Sequence, residues 1–489
     1  MAANTTSKKT EPVVAIIGGG LGGLCMAIKL KQAGYKHFTV FEKAASIGGT
    51  WRDNTYPGLA CDVPSHLYSY SFDPNPAWSH VYSPGWEIQQ YTERCVDKNG
   101  IRPYIRVDSE VMCCEFGDGV WHIETADGAN HKANILISAM GGLHLPKLPD
   151  IAGRENFDGV AFHSANWTDT DLKGKRVAVI GSAASAVQIV PAIAEEVDQL
   201  YLYQRTPNWI IPRRDRAFSA LTKWCFQSVP GAARTYRWFL YWIAEARWPS
   251  FRRNSIANRL GRLLGKAHLR RQVPDEALRA RLTPNYPIGC KRILRSDDFY
   301  PALLRDNVEL VTNGIDRIEA DAVITRDGLR HVVDVIVYAT GFDVFDITGG
   351  TQIIGLNGQS LAGYWHDGIA AHRTIAVPGF PNFFILQGPN SALGHSSVIF
   401  MLEAQVRYVI GCLEEMQERG WKTIVPQIDA FESYQSRLTA DLQKMIWAVD
   451  CNSWYKDNKG RVFTLWPRTC TNYWYTMRHP KIDEYQHSD

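Results

Sequence analysis

The sequence predicts an α/β fold of two parallel-sheet domains, the second inserted into the first and carrying a helical insert of its own. Two observations predict it. A unit of strand, glycine turn, helix and strand occurs twice, and the second copy is followed by a long amphipathic stretch before buried-strand patterns resume.

In the first unit VVAII (13–17) is a short apolar run of the kind that forms a strand covered on both faces. It leads directly into Gly18, Gly20 and Gly23, then into a helical stretch ending near Gly34, and FTVFEK delivers Glu42. In the second, RVAVI (176–180) leads into GSAASAVQIVPAIA, and LYLYQR delivers Arg205. Gly18 to Glu42 and Gly181 to Arg205 are each 24 positions apart, so the repeat is in register. Each unit has the roughly 30-residue form of a Rossmann-like dinucleotide-binding βαβ unit. Between them SPGW, DGV and TADGAN punctuate short strands and turns. From 215 to about 285, amphipathic helical patterns broken by Pro230 and Pro249 predict the insert, with a peripheral membrane contact as the alternative to a purely structural role. DVIVYATGF (334–342) and NFFILQGPN (382–390) read as further buried strands, and 403–445 as helical. The expected domains are 1–150 and 334–489, which together form the first unit's domain with a C-terminal segment, and 151–333 for the second.

The two turns ask for different ligands. Glycine at the first position permits the tight turn, at the second lets backbone approach a pyrophosphate, and at the third lets helix pack on strand. Glu42 can accept from the ribose hydroxyls of an adenosine, so Gly18, Gly20, Gly23 and Glu42 form the first candidate site. In the second turn Gly181, Ala183 and Ala186 hold the three positions, and Ala183 narrows the room for a pyrophosphate by one methyl. Ser182, Ser185 and Gln188 on the same turn are further candidate contacts. Arg205, with Thr206 beside it, suits a 2′-phosphate where a 2′-hydroxyl would favour Asp or Glu, so the second nucleotide is expected to be NADPH. An FAD unit first and an NADPH unit inserted later is the layout of a flavoprotein that passes hydride from nicotinamide to flavin.

A formal charge of +3 over 489 residues gives no reason to expect nucleic acid. The opening MAANTTSKKTEP lacks the apolar core of a secretory signal, and no apolar run approaches the roughly 18 residues that span a bilayer, so a cytoplasmic protein without a membrane span is expected. Ten cysteines with no CxxC argue against structural zinc and against a flavin disulfide reductase; reduced, mostly buried thiols and no metal are expected.

FDGVAFHSANW, with Phe157, Gly159, His163 and Trp167, has the form FxGxxxHxxxW just upstream of the second unit. This resembles the fingerprint of the type I Baeyer–Villiger monooxygenases, class B flavoprotein monooxygenases. Further similarities lie in GGTWRDNTYPGLACDVPS (48–65), QRTPNW (204–209), YPIGCKR (286–292), ATGFD, GPNSALGHSS and CNSWY. The resemblance implies that Gly49, Thr50, Trp51 and Asp62 approach the flavin ring, that Arg205, Thr206 and Lys291 hold the 2′-phosphate, that Gly388, Pro389 and Asn390 contact cofactor, and that Trp454 lies near the nicotinamide nucleotide. It implies that NADPH and O₂ are consumed to turn a ketone into an ester or lactone through a C4a-peroxyflavin, with Arg292 as the catalytic cation and Asp62 orienting it. His163 has a hinge or domain-contact role in this reading. The alternatives are N- or S-oxygenation by the same cofactors, and a redox or binding flavoprotein without oxygenation.

Overall fold

The computed structural model describes residues 11–489; most of the polar opening read as lacking a secretory signal lies outside the described residues. The chain begins with β1 (Val14–Ile17), α1 (Leu21–Gln32) and β2 (Phe38–Phe41), followed by α2 (Thr50–Asp53), α3 (Gly85–Asn99) and β3 (Ile105–Arg106). An antiparallel meander follows, β4 (Val111–Gly117), β5 (Val120–Thr125) and β6 (Asn130–Ala133), and then β7 (Ile135–Ser138), which returns to pair in parallel with β1. Every residue of β1 and β7 is buried, because α1 covers one face of these strands and the β4–β6 meander the other.

The second unit repeats this plan. It has β8 (Val160–His163), β9 (Arg176–Ile180), α4 (Ala186–Ile193) and β10 (Gln199–Tyr203), then β11 (Ile210–Ile211). The insert follows as α5 (Ala220–Ser228), α6 (Ala232–Glu245), α7 (Ile256–Gln272) and α8 (Glu276–Arg281), leading to β12 (Leu294–Arg295) and α9 (Phe299–Ala302). Next come β13 (Val308–Val311), the meander β14 (Ile315–Glu319), β15 (Ala322–Thr325) and β16 (Arg330–Val332), and the return strand β17 (Val335–Tyr338). The second sheet runs β13-β10-β9-β17-β8. The 334–342 segment, expected to open the second part of the first domain, therefore belongs to the second sheet, where β17 lies between β9 and β8. A fully apolar strand fits the middle of either sheet, and its pattern carries no mark of which one.

The chain then re-enters the first domain through β18 (Gln352–Ile354), α10 (Leu361–Tyr364) and β19 (Phe383–Ile385), completing the order β19-β7-β1-β2-β3. The helical stretch expected over 403–445 is α11 (Val398–Arg419), which packs on α1, and α12 (Ile428–Leu442), separated by β20 (Thr423–Pro426). α13 (Cys470–Thr476) and β21 (Tyr485–Ser488) end the chain.

The insert breaks at the expected prolines: α5 stops at Ser228 before Pro230, and Pro249 lies in a 3₁₀ turn after α6. Two polar anchors, one half-buried and one buried, hold α6. Arg237 Nη1 donates to the His66 carbonyl at 2.6 Å and to Ser69 Oγ at 3.2 Å. Glu245 accepts from the backbone N–H groups of Cys470 (2.8 Å) and Thr471 (3.1 Å) at the start of α13, and His395 Nε2 lies 3.2 Å away. These satisfy N–H groups that a helix start leaves without intrahelical partners.

The cysteines depart from expectation at one place. Cys290 and Cys451 form a disulfide with their Cα atoms 6.6 Å apart, while six of the eight remaining thiols are buried and free. With the two separated by 161 positions, spacing alone could not have paired them. Among the described residues no helix is long and apolar enough to cross a membrane.

Candidate functional site

Both glycine turns open into one cavity of about 1600 Å³, larger than the roughly 300–1,000 Å³ that holds a single drug-sized ligand. Gly18 has φ +106°, and a Cβ there would meet the Ala139 carbonyl oxygen at 2.6 Å; Gly181 has φ +111° and faces the Ala339 carbonyl in the same way. In each unit the turn is thus pressed against the end of the return strand, β7 or β17. A Cβ on Gly23 would strike the Gly18 carbonyl oxygen, which is the helix-packing role expected of it, whereas the second unit accommodates Ala186 fully buried at that position.

At the end of β2, Glu42 is 4% exposed and lines the cavity. Its carboxylate accepts from the N–H groups of Gly19 (2.7 Å) and Ala44 (3.0 Å) and from Arg52 Nη1 (3.0 Å). Gly49, at φ +55°, brings the turn before α2 against Gly20, and Thr50 and Trp51 also line the cavity.

In the second unit Gly181, Ser182, Ser185, Gln188, Arg205 and Thr206 all line the cavity. Asn208 Nδ2 donates to the Ser182 carbonyl at 2.8 Å, and Tyr286 Oη donates to the Pro207 carbonyl at 3.0 Å, so QRTPNW ties the glycine turn to the segment bearing Lys291. Neither Arg205 nor Lys291 has an ion pair among the described residues. Burial, and then the neighbouring Arg205, lower the Lys291 pKa from its ordinary value. Two adjacent, unneutralised cations at the cavity wall form a site for a dianion. Gln188 is engaged elsewhere: its Nε2 donates to the Ala60 carbonyl at 2.9 Å, and its Oε1 accepts from Tyr56 Oη at 3.2 Å. Its amide thus latches the 56–60 loop of the first domain onto α4.

That loop leads into Asp62, whose Oδ2 accepts from Arg292 Nη2 at 2.6 Å and Nε at 3.0 Å. Both side chains remain open to the cavity, 38% for Arg292 and 31% for Asp62. Burial pushes the Asp62 carboxyl up, but attraction and hydrogen bonds from Arg292, with Arg295 behind it, outweigh burial and leave it below its usual value. Asp62 in turn raises Arg292 further, so the guanidinium is held charged. Beside them lies Tyr455, which sequence reasoning passed over although it follows Trp454 in CNSWY. Burial pushes its phenol up to about 12 against the pull of Arg292, so it is a neutral hydroxyl. Trp454 lines the cavity with its ring 4.6 Å from that of Tyr455. The Cys290–Cys451 disulfide joins the Lys291–Arg292 segment to the Asn452–Trp454 segment.

Gly388 and Pro389 line the cavity; Asn390 does not, and its Nδ2 donates to the Val462 (3.0 Å) and Leu465 (3.2 Å) carbonyls. The fingerprint residues Phe157, Gly159, His163 and Trp167 also lie outside it. His163 Nε2 donates to the Gly341 carbonyl at 2.9 Å and Nδ1 accepts from the Ala165 N–H, so this histidine braces the cavity-lining turn that follows β17. A Cβ on Gly159 would meet the Asp334 carbonyl at 2.6 Å, and Trp167 packs edge-on against Phe162 in the second domain's core.

Residues 15–229 match the family described as pyridine nucleotide-disulphide oxidoreductase. The chain is 42% identical to a Baeyer-Villiger monooxygenase of Streptomyces coelicolor over 97% of this chain and 92% of the relative, and 41% identical to one of Pseudomonas aeruginosa over 93% and 87%. Among solved structures it is similar to OTEMO in complex with FAD and NADP (TM-score 0.88, 25% identity, 98% of this chain and 99% of that one). It is also similar to an oxidised steroid monooxygenase bound to NADP (TM-score 0.87, 27% identity, 98% and 99%).

Proposed function

The chain belongs to the Baeyer–Villiger monooxygenases, and we propose how its own residues carry that family's reaction. It is an FAD- and NADPH-dependent monooxygenase, and the residues present fit both nucleotides: a Cβ-free turn at the start of α1, an acceptor at Glu42, and an unneutralised Arg205–Lys291 pair. The substrate is a ketone with O₂ as co-substrate, and the setting is cytoplasmic. When bound, the flavin accepts hydride and activates O₂.

Gly18 and Gly20 admit a pyrophosphate to the N-terminus of α1, and Glu42 accepts from a ribose. Arg205, Thr206 and Lys291 hold the 2′-phosphate of the second nucleotide. Arg292 supplies fixed positive charge where negative charge develops on oxygen, first on activated dioxygen and then on the former carbonyl oxygen of the ketone. Asp62 keeps the guanidinium in one orientation by taking Nε and Nη2, which leaves Nη1 for the reacting oxygen. Trp454 walls this end of the cavity, with the buried Tyr455 packed behind it. The single observation that carries this reading is the Asp62–Arg292 pair, open to the same cavity as both glycine turns.

The test is Arg292→Ala. The variant should retain FAD and be reduced by NADPH, while ester formation falls by at least about a hundredfold, the scale of losing one preorganised donor, and oxygen uptake continues as hydrogen peroxide release. Arg292→Lys should not restore the ester, because an ammonium lacks the planar fork. Ester formation at the wild-type rate in the alanine variant would reduce Arg292 to an ion-pair residue.

A further inference from the structure

The exposed apolar side chains of this protein are not scattered. Ten of the 24 large ones lie between residues 220 and 272, in helices α5 to α7. On α6 Trp238 (63% exposed), Phe239 and Trp242 face outward, while Arg237 and Glu245 anchor the helix inward. On α7 Ile256, Leu260, Leu263 and Leu264 follow the i, i+4, i+7, i+8 spacing of one helical stripe, and Gly265, His268 and Leu269 are buried on the other side. Both helices also turn an inner face to the protein, Tyr236, Tyr241 and Ala244 on α6 and Gly265, His268 and Leu269 on α7, so the outer stripes are not an unfinished core.

Charge says what covers them. Residues 220–272 hold eleven Lys or Arg and one acidic residue, the buried Glu245, for a net +10 in a chain whose total is +3; the remainder is therefore −7. Arg259, Arg262, Lys266 and Arg270 run along one flank of the α7 stripe, and none of them has an ion pair among the described residues. Arg259, Arg262 and Lys266 bound a shallow surface hollow with Leu263. An outward apolar stripe carrying Trp, Phe and Leu beside a row of free cations is the pattern of a helix lying in the plane of a membrane surface. A second copy of the chain would bring the same +10 segment against itself.

We propose that α6 and α7 dock the enzyme on the surface of an anionic lipid bilayer, with Trp238, Trp242, Leu260 and Leu263 entering the headgroup region and the α7 cations on lipid phosphates. The protein lies on the bilayer and does not span it. Docking needs neither bound ketone nor turnover.

The holoenzyme is tested by co-sedimentation with vesicles of phosphatidylcholine alone and of phosphatidylcholine with about 30% phosphatidylglycerol, at low and high salt. Expected are retention on the anionic vesicles, little on the neutral ones, and release at about 0.5 M salt, where the Debye length falls to a few ångströms. Leu260→Glu with Leu263→Glu, and separately Arg259→Glu with Arg262→Glu, should each cut the bound fraction at least about tenfold while flavin content and NADPH oxidation stay at wild-type levels. Tryptophan fluorescence should be quenched by brominated lipid in the wild type. Absence of wild-type protein from the anionic pellet overturns the proposal, as does binding that both double variants retain. Self-association in sedimentation velocity that the leucine variant abolishes, without vesicle binding, would instead assign the surface to a second copy.

Discussion

Glu42 and Arg205 end equivalent strands, 24 residues after equivalent glycines, yet their surroundings are opposite. Glu42 is buried and takes two backbone N–H groups and a guanidinium. Arg205 is exposed, has no ion pair among the described residues, and lies close enough to Lys291 to lower that lysine's pKa. A carboxylate can be satisfied by the chain around it, and so it is set in place before any ligand arrives. Two cations side by side are relieved only by an incoming anion. The first unit is therefore built to keep its nucleotide, and the second to admit one and release it.

The largest effects should come from the turns themselves. Gly18→Ala sets a Cβ against the Ala139 carbonyl at φ +106°, so the protein should purify without flavin absorbance. Gly181→Ala should leave it yellow and raise the Kd for NADPH by more than about a hundredfold, from the clash with Ala339 together with backbone strain of about 1–3 kcal/mol. Equal flavin loss in both variants would break the distinction.

The second unit carries the longer helical insert, α5 to α8 between β10 and β13, where the first has only α2 and α3 between β2 and β3, and acid should loosen this insert first. Burial, and then Arg237, lower the His66 pKa from 6.5 to about 4, and this ring packs against Phe218, Phe226 and Tyr236. A histidine depressed in the fold contributes stability that is fully present above 6.5 and is lost as pH falls from there towards 4. At about 1.4 kcal/mol per pH unit this amounts to about 3 kcal/mol. Limited proteolysis at descending pH should cut the insert earlier in wild type than in His66→Phe; identical profiles would remove His66 from the account.

Smaller again is Arg205→Ala, which should weaken NADPH about ten- to a hundredfold, the 1.5–3 kcal/mol of a charge-assisted contact, and leave NADH nearly unchanged. Equal weakening of both would mean that Arg205 does not meet the 2′-phosphate. The least change is expected from Ala183→Gly, with NADPH bound as before or a few times tighter, since only a methyl is removed. A marked loss on titration would show that Ala183 shapes the turn.

Local signals were legible in the sequence, whereas long-range pairings were not. The in-register repeat located both turns, Glu42 and Arg205, because a βαβ unit is specified within about 30 residues. The family-like segments named Asp62 and Arg292, 230 positions apart, which the structure joins. Nothing in an apolar run told which sheet Val335–Tyr338 would enter. Gln188 and Asn390 have types and positions suited to nucleotide contact, but their amides are committed to Ala60 and to Val462 and Leu465, contacts from distant parts of the chain. The stripe on α7 was visible as amphipathicity; that its apolar side faces outward was not, because periodicity does not say which face packs inward.

The Cys290–Cys451 bond has a topological consequence. It closes a covalent ring that contains β12, the second meander, β17, β19, α11 and α12, and leaves β1, both glycine turns and the whole cationic insert outside. Cleavage within the ring, such as at the exposed Leu356, leaves a nicked chain whose pieces part only after reduction. Cleavage in α5 to α7 frees two polypeptides at once: the N-terminal piece carries both glycine turns with Glu42 and Arg205, and the C-terminal piece carries Lys291, Arg292 and the whole disulfide ring.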